Sequence, residues 1–100
     1  MNKDNKKTSV ICELLRLVRI AQDFSTKDIA MRIGCRTSYI TDVERGDRIP
    51  SLKTLEKYCR ALEIPTSMLF ELKETQEKEH LSYRKILIKI LLILEEKNCG

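Results

Sequence analysis

The stretch from Ser25 to Gly46, STKDIAMRIGCRTSYITDVERG, constrains the fold of this chain more than any other. Its apolar residues recur at three- and four-residue intervals on either side of Gly34, which predicts two short helices joined by a glycine turn. Isolated helices shorter than about 12 residues are marginal in water, so neither helix is stable alone. We therefore expect the flanking chain to form a scaffold around the pair.

Local signals mark where the two helices begin and end. Ser25 is placed to cap the first helix, and Asp28 can return a bond to the Ser25 amide, as in a capping box. Gly34 and Gly46 supply the left-handed conformation in which helices often end. The side chains predicted to point inward are Ile29, Ala30, Ile33, Ile40 and Val43. A short helix, a glycine turn and a second short helix have the spacing of a helix-turn-helix.

The flanking sequence also favours helices. The chain has 100 residues, with 42% hydrophobic and 34% charged residues but only three glycines and two prolines, which suits one helical domain. Apolar periodicity predicts a first helix from Thr8 or Ser9, a fourth from Ser51, and a fifth from Thr66 to about Lys73. The side chains predicted to be core in these segments are Ile11, Leu14, Leu15, Val18, Ile20, Phe24, Leu52, Leu55, Tyr58, Cys59, Leu62, Met68, Leu69 and Phe70.

The two ends of the chain differ in character. Residues 1–7 are polar and charged, which predicts a flexible basic arm, and residues 74–100 are predicted to be a linker and an oligomerisation helix. The run Ile86–Leu94 has one charge, Lys89, and is far shorter than the roughly 20 residues that span a membrane. Its apolar surface needs cover from its own domain, a second copy or a partner protein, and a strand is the lesser alternative. The residues predicted to contact a second copy are Tyr83, Ile86, Leu87, Ile90, Leu91, Ile93 and Leu94.

Cysteine and histidine positions do not form a recognisable metal motif. The four cysteines, at positions 12, 35, 59 and 99, are widely spaced, and His80 is the single histidine. This pattern favours free buried thiols and a reducing cytoplasm as the setting. The sequence has no phosphate-binding glycine loop and no catalytic pairing, so we expect no cofactor, no metal and no enzyme activity. The net charge of +4 is compatible with a nucleic-acid partner without requiring one.

Residues 10–72 resemble the helix-turn-helix family of the lambdoid phage repressors and Cro, also called the XRE family. The resemblance depends on four segments in order: LLRLVR, FSTKDIAMRIG, TSYITDVERG and IPSLKTLEKYCRALEIP. It implies an all-α fold, in which residues 8–73 form a five-helix repressor-like DNA-binding domain and a C-terminal apolar helix follows. It also implies that the third helix lies in the major groove of double-stranded DNA.

The resemblance implies roles for individual residues. Arg19 in the first helix is implied to pair with Glu44 at the end of the third, which ties the recognition helix to the scaffold. The residues implied to contact bases are Thr37, Ser38, Thr41 and Asp42. Those implied to contact phosphates are Thr26, Arg36, Tyr39, Arg45, Arg48 and Lys53, together with backbone amides at the starts of the second and fourth helices. Position 26 is usually Gln in the family, and positions 37 and 42 are often Arg or Gln.

Two classes of function fit these features. The first is a transcriptional regulator, most simply a repressor, that binds an inverted-repeat operator as a homodimer with its recognition helices roughly 34 Å apart. An antitoxin that represses its own operon would use the same chemistry. The second is a protein-interaction module that keeps the helix-turn-helix as a scaffold, which the acidic Asp42 and the apolar C-terminal segment favour.

Overall fold

The computed structural model describes the backbone of residues 5–99 and the side chains of residues 10–96. This part of the chain forms six helices and no strand. The helices are α1 (Asn5–Ala21), α2 (Thr26–Ile33), α3 (Thr37–Arg45), α4 (Leu52–Ala61), α5 (Thr66–Glu79) and α6 (Tyr83–Cys99). None of them, over the residues described, has the length and hydropathy needed to cross a membrane.

Helix α1 is central to the packing. It contacts α3, α5 and α6, while α2 packs on α3 and α4, and α4 packs on α5. Leu14, Leu15, Leu17 and Val18 of α1 are all at most 2% exposed, so this helix is apolar on a wide face. Removing that surface from water is the main driving force that holds the neighbouring helices together. The arrangement fixes α2 and α3 on a scaffold made by the rest of the chain.

Two helix boundaries differ from the sequence prediction. Helix α1 begins at Asn5, so residues 5–7 belong to it and not to a flexible arm; residues 1–4 of the predicted arm lie outside the described range. Helix α5 continues to Glu79 through the stretch predicted to be a linker. That stretch consists mostly of good helix formers. Lys73 Nζ also lies 2.9 Å from Glu77 Oε2, one turn later, and this ion pair supports the helix. His80, with φ of 50°, then ends the helix.

Three side chains predicted to be core are exposed. Ile20, Leu52 and Phe70 are 40%, 62% and 39% exposed, so that prediction is wrong for them. Leu52 is the first residue of α4, and Ile20 and Phe70 lie just beside the buried stripe of their helices. Leu17 and Leu72 are buried although the predicted stripe omits them. Periodicity identified the apolar helices, and tertiary packing determined which neighbouring residue faces the core.

Helix α6 folds back onto its own domain. Ile86, Ile90 and Leu94 are at most 6% exposed and join the core beside α1. Leu87 and Ile93 are half-buried against it. Because α1 already covers Ile86, Ile90 and Leu94, the prediction that these three side chains contact a second copy is wrong. Of the other residues predicted for that contact, Tyr83 and Leu91 remain 50% and 45% exposed.

The turn between α5 and α6 is held by Gln76. Its side-chain nitrogen donates to the Leu81 carbonyl at 2.8 Å, and its side-chain oxygen accepts from the Leu81 amide at 3.1 Å. One side chain thus satisfies both backbone groups of Leu81, and Leu81 packs against the core. These contacts fix the direction in which α6 leaves α5.

Candidate nucleic-acid interface

The α2–turn–α3 unit is built as its local signals predict. Ser25 Oγ accepts from the Asp28 amide and Asp28 Oδ2 accepts from the Ser25 amide, both at 2.9 Å, so the predicted capping box is confirmed. The bond donated by the Ser25 amide, and after it hydrogen bonding by the Ser25 side chain, lower the pKa of the Asp28 carboxyl below its ordinary value. Gly34 and Gly46 end the two helices with φ of 87° and 84°. Of the five predicted inward residues, the four at positions 29, 30, 40 and 43 are at most 2% exposed, and that at position 33 is half-buried.

An ion pair joins α1 to the end of α3. Arg19 Nε donates to Glu44 Oε2 at 2.6 Å and Arg19 Nη2 donates to Glu44 Oε1 at 3.0 Å. Arg19 Nη1 also donates to the Phe24 carbonyl at 2.8 Å, just ahead of α2. The two side chains are 14% and 6% exposed. A bidentate pair with this little solvent restricts how α3 can rotate or shift on the scaffold.

The outward edge of α3 carries small polar side chains. Thr37 and Ser38 are exposed, and Thr41 and Asp42 are half-buried. Thr41 Oγ1 donates to the Thr37 carbonyl at 3.2 Å, so this hydroxyl keeps only its acceptor capacity and its methyl group for another molecule. Hydroxyls, a methyl group and a carboxylate are the kinds of group that distinguish base edges in the major groove.

The helix starts differ in how many backbone amides they leave open. Ser25 and Ser51 bond the amides of Asp28 and Thr54 at the starts of α2 and α4. Backbone amides at these two helix starts were predicted to bind phosphate, but the amides of Asp28 and Thr54 already donate to serine side chains of the same chain. Helix α3 begins at Thr37, and the residue before it, Arg36, makes no side-chain capping bond. Its first amides are thus the more available donors for an anion.

The four cationic side chains predicted to contact phosphates lie at the ends of α3, in the loop after it and in the first turn of α4. Arg36, Arg45, Arg48 and Lys53 are all exposed. The Arg48 guanidinium lies 5.7 Å from the centre of the Tyr39 ring, which draws the loop after α3 back toward the helix. Arg45 Nη1 lies 3.8 Å from Asp47, a weak contact between two exposed groups. None of these four side chains takes part in a buried ion pair among the described residues.

A groove beside α3 brings together four of the predicted site residues and two residues that were not predicted. Thr26, Thr41 and Arg45 line a groove of about 320 Å³ together with Glu13, Glu44 and Arg16. Arg16 is held 3.2 Å from Glu13, and this hydrogen bond raises the pKa of its guanidinium. Its position one turn before Arg19 on α1 was the available signal.

Three of the four predicted free thiols lie among the described side chains, and Cys99 lies outside them. Cys12 and Cys59 are buried and Cys35 is half-buried. Burial raises the pKa of all three, that of Cys59 to about 11, which suppresses the reactive thiolate. Within the range whose side chains are described, no three His, Cys, Asp or Glu residues are grouped to hold a metal ion.

Residues 15–69 match the family model described as helix-turn-helix. The chain belongs to the helix-turn-helix family. The match runs from α1 into α5 and agrees with the resemblance to the XRE family found in the sequence.

Over 58 residues this helix-turn-helix chain is 38% identical to the uncharacterized HTH-type transcriptional regulator y4dL of Sinorhizobium fredii, covering 58% of the chain and 30% of that protein. Over 60 residues it is 28% identical to the transcriptional regulator ClgR of Mycobacterium tuberculosis, covering 60% and 54%. The chain thus matches about a third to a half of the length of these relatives.

Restriction-modification controller proteins have similar structures. The controller C.AhdI from Aeromonas hydrophila is 35% identical with a TM-score of 0.60, covering 63% of this helix-turn-helix chain and 96% of that one. Wild-type C.Esp1396I is 22% identical with a TM-score of 0.70, covering 74% and 97%. The C.Esp1396I tetramer in complex with its natural 35-base-pair operator is 23% identical with a TM-score of 0.64, covering 87% and 96%.

Proposed function

We propose that this chain is a sequence-specific transcriptional regulator that represses by binding an inverted-repeat operator as a homodimer, with α3 in the major groove. The observation that carries the proposal is the polar outward edge of α3, fixed by the Arg19–Glu44 pair and flanked by exposed cations. Family membership and the operator complex of C.Esp1396I support it. The five helices α1 to α5 would form the DNA-binding domain.

In this proposal the first turn of α3 recognises the bases. Thr37 and Ser38 are exposed at the uncapped end of the helix, where their hydroxyls can bond a base edge. Thr41 offers a methyl group for thymine, since its hydroxyl proton is engaged with the Thr37 carbonyl. Asp42 would accept from a cytosine amine and would repel a phosphate that came too close.

The phosphates would be bound by side chains on both sides of α3. Arg36, Arg45, Arg48 and Lys53 supply the charge, and Thr26, Tyr39 and Arg16 add hydrogen-bond donors to the same surface. Each neutralised phosphate lowers the slope of log K against log salt by about 0.9. Four cations per protomer therefore give a slope of about −7 for a dimer on duplex DNA.

The proposal is tested by removing three of these cations together. The Arg36→Ala, Arg45→Ala, Arg48→Ala variant should lose duplex binding by at least about 100-fold at moderate salt and show a much shallower salt slope. The matched control removes three other exposed cations, Lys57, Arg60 and Lys78, and should change affinity by less than about threefold. Wild-type affinity in the first variant would make the proposal wrong.

A second candidate is a protein-interaction module that does not bind DNA. The carboxylates of Asp42 and Asp47 near α3 and the exposed apolar residues of α6 favour it. It predicts no measurable binding to any duplex, even at low salt. The regulator proposal predicts binding under those conditions.

A further inference from the structure

The outer face of α6 is apolar although the inner face already packs on α1. Ile88, Leu91 and Leu92 are 55%, 45% and 59% exposed. Leu91 and Leu92 lie three and four residues after Ile88, the intervals that place side chains on one side of a helix. That side lies opposite the stripe of Ile86 and Ile90, so α6 has two apolar faces and its own domain covers one of them.

The charges on α6 run against the dipole of the helix. Arg84 and Lys85 lie in its first turn and Glu95 and Glu96 near its end, and all four are exposed. Helix dipoles favour the reverse order, with acidic residues first and basic residues last. Among the side chains that the structure describes, none of these four takes part in an ion pair. Within one chain these four charges are mildly unfavourable, and a second helix running in the opposite direction would pair them.

A second copy of the chain provides that partner. Positions 84, 88, 91 and 95 follow a 4-3-4 spacing along the outer face and are symmetric about the point between residues 89 and 90. We propose that α6 pairs antiparallel with α6 of a second copy across this point. Ile88 then meets Leu91 of the partner subunit, and Arg84 meets Glu95 of the partner subunit. The two-fold axis repeats both contacts, so one surface complements itself.

Charge selects the antiparallel arrangement over the parallel one. A parallel pair would bring Arg84 against its own copy and Glu95 against its own copy, and like charges at these positions repel. The antiparallel pair replaces both repulsions by attractions and also opposes the two helix dipoles. The interface is small, below about 1,200 Å², so we expect a roughly micromolar dimer. The α6 contact gives the proposed homodimer its interface, and it rests on the proposed function only for the existence of that dimer.

The test uses two charge-reversed chains without DNA. The Arg84→Glu chain and the Glu95→Arg chain should each self-associate roughly 10- to 100-fold more weakly than the wild type in sedimentation velocity. An equimolar mixture of the two should dimerise like the wild type, because each then faces its opposite charge. The double variant Arg84→Glu, Glu95→Arg should also recover wild-type association. A mixture that associates no better than its components, or a wild type that stays monomeric at 100-fold above the roughly micromolar expectation, overturns the proposal.

Three substitutions of exposed apolar residues, one on α6 and two controls elsewhere, test the location of the surface. Ile88→Glu should abolish dimerisation, while Met31→Glu and Ile49→Glu, at positions 73% and 70% exposed on other elements, should leave it unchanged. Loss of the dimer in the Ile49→Glu chain but not in the Ile88→Glu chain would contradict the proposal. Far-ultraviolet circular dichroism verifies that each variant is folded. Binding of a single half-site duplex should persist in the Ile88→Glu chain, which separates failure of self-association from failure of DNA binding.

Discussion

Removing Glu44 should destabilise the protein far more than removing an exposed carboxylate. In the Glu44→Ala chain, Arg19 loses two charge-assisted hydrogen bonds of 2.6 and 3.0 Å and keeps only its bond to the Phe24 carbonyl. Breaking a buried pair by removing one partner costs about 3–5 kcal/mol. Because Arg19 is 14% exposed and can reach some water, we expect the lower end, about 3 kcal/mol. That is a large part of the roughly 5–15 kcal/mol by which a domain is stable.

Urea unfolding followed by circular dichroism measures this loss, and α1 provides a matched control. Glu13→Ala breaks the Arg16–Glu13 pair, whose side chains are 41% and 52% exposed, and should cost no more than about 0.5 kcal/mol. The apolar double variant Arg19→Met, Glu44→Leu should be more stable than Glu44→Ala, because no buried charge is left without a partner. If Glu44→Ala cost no more than Glu13→Ala, the argument that this pair fixes α3 would be refuted.

Three further predictions concern the core and the turn. The Tyr58 hydroxyl is buried with no hydrogen-bond partner among the described residues, so Tyr58→Phe should stabilise the protein by about 1 kcal/mol in urea unfolding; a clear loss of stability would reveal a partner. Gly34→Ala should lower the free energy of unfolding by about 1–2 kcal/mol in the same measurement, because φ at this position is 87°. No atom lies within 4 Å of the added methyl group, so a steric clash adds nothing to this cost, and a neutral result would contradict the backbone explanation. Burial raises the pKa of Cys59 from 9.0 to about 11, so the folded state holds this proton while the unfolded state releases it. The free energy of unfolding is therefore unaffected by this group below pH 9 and falls as pH rises toward 11, by about 1 kcal/mol between pH 8 and 10. Cys59→Ala should remove that part of the pH dependence, and an unchanged slope would show that the thiol does not cause it.

Much of the α2–α3 unit could be predicted because its determinants are local. Ser25 and Asp28 form their capping box within four residues, and Gly34 and Gly46 end the helices wherever the rest of the chain lies. The Arg19–Glu44 contact spans 25 positions and followed from the family resemblance, since nothing in the spacing alone brings these side chains together.

The misplaced features all depend on tertiary packing. Periodicity shows that α6 is apolar, but it does not determine which of two apolar faces packs on α1. The dimer contact was therefore predicted to include Ile86, Ile90 and Leu94, which the fold buries within one chain. The linker prediction failed for a different reason, because polarity alone does not end a helix made of good helix formers.

The sequence indicates which kinds of residue form the candidate site. It does not show how those residues come together in one surface. The cations predicted for phosphates are exposed and the small polar side chains lie on α3, and their contacts with DNA remain a prediction. Arg16 was not among the predicted site residues, although it lines the groove beside α3. The groove that it shares with Thr26 and Thr41 exists only once α1, α2 and α3 are packed.

Selection of bound sequences from random duplexes tests whether α3 recognises DNA. A homodimer with α3 in the major groove should enrich an inverted repeat whose half-site centres are about 10 base pairs, one helical turn, or a multiple of it apart. Replacing Thr37 and Ser38 by Ala should relax the preference within each half-site and leave the spacing unchanged. The absence of any enriched sequence, or a single site without two-fold symmetry, would contradict the account.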